Sequence, residues 1–142
     1  MSSSTDTRPA AVPEDGVLPP EVPGWAPLTL RFSGVWEIEP MALLEHGPKA
    51  QILDVREAPE FIDRLGHLPG ARLVPLSQLM EHLGELDRDR PVVAVCRSGV
   101  RSAQACVLLA KAGFGQVANL AGGMLRWKNE GMPAVAEAAP EC

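Results

Sequence analysis

Two arginines, two serines and a glycine crowd one cysteine in Cys96-Arg97-Ser98-Gly99-Val100-Arg101-Ser102. The stretch follows the valine-rich run Pro91–Val95 and precedes Ala103–Ala110, which reads as a helix. Cys96 is therefore expected where a buried strand turns into a helix N-terminus. Backbone N–H groups at such a turn converge on a small concavity, and the helix dipole adds positive potential. A thiol held there is acidified, and the thiolate is the reactive form. Cys96 reads as a nucleophile built to carry a negative group rather than as a small buried hydrophobe. Arg97 and Arg101 are expected to draw in an anionic donor and to lower the thiol pKa. Arg97 also fits a solvated surface cation. Arg101 also fits a structural partner for Asp54 or Glu57. Cys106, ten residues on in the same helix, reads as a packed core thiol.

The elements that must position this loop follow from the apolar runs. Leu28–Phe32 alternates weakly and predicts a short strand. Glu39–Pro48 predicts a short helix, with Pro40 at its first position and Gly47 at its stop. Gln51–Val55 predicts a buried strand ending in the polar residues Asp54, Arg56 and Glu57. Ala58–Leu65 reads as a helical turn, Gly66–Ala71 as a loop, and Arg72–Val74 as a short strand. Ser77 is expected to cap a helix carrying Leu79, Met80, Leu83 and Leu86 as a core stripe. After the cysteine helix, which Gly113 ends, Gln116–Leu120 predicts a strand. Ala121–Gly123 turns into a last helix that runs through Trp127 to Glu130.

Continuous apolar strands alternating with helices predict an α/β chain, a parallel sheet covered by helices. Sites in such sheets form beyond the carboxyl ends of the strands. Asp54–Glu57, Cys96–Arg101 and Ala121–Gly123 each follow a strand and are expected at one end of the sheet.

The remaining composition narrows the function classes. The 142 residues suit a single domain. A net charge of −5, from 13 basic and 18 acidic residues, speaks against a general nucleic-acid binder. Three cysteines at wide spacings make no disulfide framework, and His46, His67 and His82 have no ligand-like spacing. No metal and no cofactor are expected. No secretory signal or bilayer-length apolar run is evident, so a cytoplasmic protein without a membrane partner is expected. Residues 1–27 are rich in Pro and Ser and read as a disordered leader, 28–133 as the domain, and 134–142 as a flexible tail. Trp25 is the exception in the leader and reads as packing back onto the domain rather than as a partner anchor.

Four motifs together resemble one family. The cysteine loop is similar to the active-site loop of rhodanese-family sulfurtransferases. Asp54-Val55-Arg56-Glu57 resembles the family's D-V-R-E element, and Gly66-His67-Leu68-Pro69-Gly70-Ala71 its G-H-I-P-G-A element. Leu120–Met124 with Trp127 resembles its closing G-G-x-x-x-W turn. The similarity spans roughly residues 36 to 133. Cysteine phosphatases and arsenate reductases resemble the loop less, because they use C-x5-R where Cys96 and Arg101 make C-x4-R. A non-catalytic relative is disfavoured by the presence of Cys96.

The resemblance implies a single three-layer rhodanese-like domain, a central parallel sheet with helices on both faces. It implies ping-pong transfer of a sulfane sulfur from thiosulfate or a persulfide to cyanide or a thiol, through a Cys96 persulfide. The alternative is a module that carries persulfide to or from a specific protein partner. Arg97, Ser98, Gly99, Val100, Arg101 and Ser102 would form the substrate loop. Asp54 would brace it by hydrogen bonds, Arg56 would form a structural ion pair, and His67 would serve as a structural hydrogen-bonding residue.

Overall fold

The computed structural model describes residues 25–31 and 34–136. Among them a six-stranded sheet forms in the order β1-β2-β6-β5-β3-β4. Its strands are β1 (Thr29–Leu30), β2 (Trp36–Ile38), β3 (Gln51–Asp54), β4 (Arg72–Leu73), β5 (Val92–Val95) and β6 (Val117–Leu120). β1 runs antiparallel to β2 at the edge, and the other pairings are parallel. Helices α1 (Pro40–His46), α2 (Ala58–Phe61), α3 (Val100–Lys111) and α4 (Gly123–Asn129) connect the strands. The expected α/β class and helix-covered parallel sheet are what the chain adopts.

β5 is buried at all four positions, as its unbroken apolar run requires of a central strand. Successive side chains point to opposite faces. Val93 and Val95 join one core with Leu43, Phe61, Met124 and Trp127. Val92, Ala94 and Cys96 join the other with Leu79, Ala105, Cys106 and Leu109. The nucleophile candidate thus sits on the α3 side of the sheet. Trp25 is buried in the first core, beside Trp36 and Trp127, so it packs back as expected.

Three local expectations need correction. β2 lies in a stretch that the apolar pattern had not singled out, and it is only three residues long. Ser77 caps nothing. Residues Leu76–Glu85 form a 3-10 helix whose N-cap position is Pro75, with no side-chain cap bond. In that tight turn Leu76 and Leu79, three apart, share the inner side, while Met80 points out and is 57% exposed. Finally, α3 begins at Val100, three residues earlier than expected, so Arg101 and Ser102 lie in its first turn.

The start of the expected leader, residues 1–24, lies outside the described residues. So does the end of the expected tail from residue 137, with Cys142. Val135, within that tail, exchanges two backbone hydrogen bonds with His67, at 2.8 and 2.9 Å. No helix among the described residues is long and apolar enough to cross a membrane.

Candidate active site

β6, β5 and β3 are adjacent and parallel, so their carboxyl ends share one edge of the sheet. The cysteine loop leaves the middle strand there. The segments after β3 and β6 flank it, as the strand-end argument requires.

The loop's backbone is turned by the neighbouring helix. Met124 N–H donates to the Cys96 carbonyl at 2.8 Å, and Leu125 N–H to the Arg97 carbonyl at 3.0 Å. With those carbonyls held against α4, the following N–H groups are free to face the sulfur. Gly123 makes the approach feasible. Its φ is +60°, and a Cβ there would lie 2.5 Å from the Arg97 carbonyl oxygen and 2.6 Å from that of Cys96. Gly99, at φ +106°, takes the left-handed conformation that starts α3.

Cys96 is 1% exposed. Its Sγ accepts a hydrogen bond from Gly99 N–H at 3.1 Å and lies 3.2 Å from the Ser102 hydroxyl. Burial alone would push the thiol pKa up. The Ser102 hydroxyl and the backbone N–H groups of Ser102, Gly99 and Ser98 outweigh it and hold the thiol below its ordinary value. Cys106, on the next turns of α3, has the opposite setting. Burial raises its pKa, with the charges of Glu37 and Cys96 adding to the effect. It is a packed core thiol, as expected.

Arg101 turns out to be committed elsewhere. Its guanidinium forms a two-pronged bond to Glu60, with Nη1 to Oε2 at 2.9 Å and Nη2 to Oε1 at 2.8 Å. This replaces the expected pairing with Asp54 or Glu57. Glu60 is itself anchored, because it also accepts the Glu57 N–H at 3.0 Å in a capping box on α2. The Arg101 bond, foremost, brings the Glu60 pKa down to about 2. Arg97 is exposed and is the loop's outward cation.

Asp54 does not brace the loop. Both its oxygens are bonded to Arg56, at 2.9 Å from Nε and 2.8 Å from Nη2, and both residues are fully buried. Arg56 Nη2 also donates to the Gly66 carbonyl at 2.7 Å, tying β3 to the following loop. Arg56 is therefore the structural ion-pair residue expected. The two bonds to Asp54 and the one to Gly66 are what make such burial tolerable, while Arg56 Nη1 is buried without a partner among the described residues. His67 is structural too. Its ring stacks on Phe61 with centroids 3.5 Å apart, and its Nδ1 lies 2.7 Å from the Phe61 carbonyl.

Two residues of the site were not singled out from the sequence, Glu60 and Asn119. Asn119 is 1% exposed, with Oδ1 2.5 Å from the Ser102 hydroxyl and Nδ2 donating to the Gly99 carbonyl at 3.0 Å. Each left a trace. Glu57 and Glu60 have capping-box spacing, and Asn119 is the one polar side chain in Val117–Leu120.

A cysteine whose sulfur faces backbone N–H donors, at a strand-to-helix turn of a parallel α/β sheet, defines a protein with an acidified thiol at a strand end. The Rhodanese-like domain family model matches residues 39–130, and the chain belongs to that family. It is 40% identical over 85 residues to a sulfurtransferase of Allochromatium vinosum, a match covering 60% of this chain and 78% of that protein. It is 32% identical over 90 residues to the thiosulfate sulfurtransferase GlpE of Shewanella oneidensis, covering 63% of this chain and 87% of that one. The crystal structure of a rhodanese-related protein from Thermoplasma volcanium superposes with a TM-score of 0.66. Its sequence is 34% identical, and the match covers 71% of this chain and 98% of that one.

Proposed function

We propose that this chain is a sulfurtransferase that moves a sulfane sulfur through a Cys96 persulfide. The observation that carries the reading is the Cys96 sulfur itself, held among the Gly99 N–H and the Ser102 hydroxyl and acidified by them. Family membership supports sulfur transfer in general.

In the first half-reaction the Cys96 thiolate attacks the outer sulfur of thiosulfate or of a persulfide. The new bond joins Sγ to that sulfur. The donor's sulfur–sulfur bond breaks, and its electron pair leaves with sulfite or a thiolate. In the second half-reaction a thiol, deprotonated as it attacks, or cyanide takes the outer sulfur, and Cys96 departs as a thiolate. Neither half-reaction needs a general base at Cys96, because the thiol is already acidified. The loop N–H groups stabilise the anionic terminal sulfur. Arg97 meets the anionic donor.

The test is intact-mass spectrometry after treatment with thiosulfate or a small persulfide. The chain is expected to gain one sulfur atom, lose it to cyanide, and gain none as Cys96→Ser. Loading that persists in Cys96→Ser would overturn the mechanism.

A second reading, delivery of persulfide to or from a protein partner, is favoured by two features. Val100 in the loop is 65% exposed, an apolar side chain beside the nucleophile. Arg101 is neutralised by Glu60, which weakens the pull on a small dianion. Slow loading by thiosulfate with fast loading by a protein persulfide would select this reading.

A further inference from the structure

Ser102 has one hydroxyl proton and two acceptors in reach, the Cys96 sulfur at 3.2 Å and Asn119 Oδ1 at 2.5 Å. Which way the Asn119 amide points is settled by its other side. There it meets the Gly99 carbonyl at 3.0 Å and Glu37 Oε2 at 3.4 Å, both of which only accept. The amide NH2 must face them, so Oδ1 faces Ser102. Ser102 and Asn119 are 0% and 1% exposed, so no water competes freely for that proton.

We infer that Asn119 is a positioning residue that holds the Ser102 hydroxyl proton while Cys96 Sγ is uncharged and yields it to Sγ when the sulfur is a thiolate. The inference rests on the proposed reaction for its purpose, but not for its geometry. With a neutral thiol the chain of donors runs from the Cys96 S–H to Ser102 Oγ and from the Ser102 O–H to Asn119 Oδ1. With a thiolate, the O–H turns to the sulfur. In the persulfide the negative charge sits on the outer sulfur and Sγ is again uncharged, so the hydroxyl returns to Asn119. Each turnover then moves the hydroxyl twice. It reaches Sγ as Cys96 becomes the leaving group, which stabilises that thiolate as its charge develops.

A competing acceptor gives a prediction of opposite signs. The pH profile of Cys96 alkylation by iodoacetamide reads the thiolate directly. Ser102→Ala should raise the midpoint. Its rate at neutral pH should fall about fourfold, because tenfold fewer thiolates are partly offset by the greater nucleophilicity of each. Asn119→Leu should lower the midpoint, since Ser102 is left with the sulfur alone. In that variant the Gly99 carbonyl keeps its bond from Ala103 N–H at 3.2 Å. The double variant should match Ser102→Ala, because Asn119 acts through Ser102. The charges around Cys96 are common to all variants. They are Arg97 on the loop, Arg101 on α3 with Glu60 from α2 paired to it, and Glu37 from β2 behind Asn119.

A merely structural Asn119 would raise the midpoint when replaced, by loosening the loop, and would add its effect to that of Ser102→Ala. Either result overturns the inference. Should Asn119→Leu fail to fold, the side-chain carbonyl carbon of Asn119 gives the answer by NMR in the wild-type chain. Its resonance should move with the Cys96 midpoint, and stay still in Ser102→Ala. A resonance that ignores Cys96 ionisation, or moves equally without Ser102, refutes the switch. Failure of sulfur loading would sink the proposed reaction while leaving these profiles as they are, so the two ideas fail separately.

Discussion

Cys96 and Cys106 sit ten residues apart and share one core, yet their thiols are pushed in opposite directions. Burial disfavours the thiolate at both. Only Cys96 has donors aimed at its sulfur, and those donors decide the balance. Iodoacetamide at neutral pH should therefore label Cys96 in the folded chain and leave Cys106 intact until the protein is denatured, as peptide mass mapping would show. The Cys96 rate should fall as pH is lowered through a midpoint below that of an ordinary thiol. Labelling of Cys106 at a comparable rate in the folded chain would contradict this account. The loop sequence made Cys96 legible, because its donors are the next few residues along the chain. Pairing of Arg101 with a carboxylate was one of its two readings, but that the partner is Glu60 was not legible, because Glu60 is 41 residues away.

Two elements hold the loop in shape, and each can be loosened separately. The N-terminal turn of α4 binds the Cys96 and Arg97 carbonyls across Gly123. Gly123→Ala meets backbone, which cannot step aside, and also demands a positive φ. It should cost about 2 kcal/mol or more of stability and reduce sulfur loading at least tenfold, measured by thermal denaturation and by mass spectrometry. The Glu60–Arg101 bond joins α2 to α3 instead. The Glu60 pKa is depressed to about 2 in the fold, against an ordinary value of 4.5. Its contribution is therefore complete above pH 4.5 and lost as pH falls towards 2. Glu60→Gln should cost about 1 kcal/mol near neutrality and almost nothing near pH 2, read from denaturant midpoints across that range. A cost that does not shrink in acid would show that the charge pair is not its source. The capping-box spacing of Glu57 and Glu60 marks where α2 begins. What it could not reveal is that the same carboxylate reaches α3.

Across the whole molecule, the two faces of the sheet divide the work. The face under α3 carries the cysteine, while the opposite face is sealed by Trp25, Trp36, Phe61, Met124 and Trp127. Trp25 precedes the first strand, yet it is 8% exposed. Trp25→Ala should cost about 3 kcal/mol and lower Tm by roughly ten degrees, with the Cys96 alkylation midpoint unchanged, since its cavity opens on the far side of the sheet. A shifted midpoint would show that the two faces are coupled.

From the sequence alone came the α/β class, the parallel strands read from unbroken apolar runs, and the cysteine loop at a strand end. All of these depend on residues close together in the chain, whose burial and backbone preferences are local properties. Only the tertiary structure decided that Arg101 is tied to Glu60, that Asp54 serves Arg56 rather than the loop, and that Asn119 reaches Ser102. Arg101 and Glu60, and Ser102 and Asn119, are brought together by the sheet order β6-β5-β3, while Asp54 and Arg56 are near in sequence and only their shared burial turns them to each other. A side chain's partner is set by which strand ends become neighbours, and no local pattern specifies that.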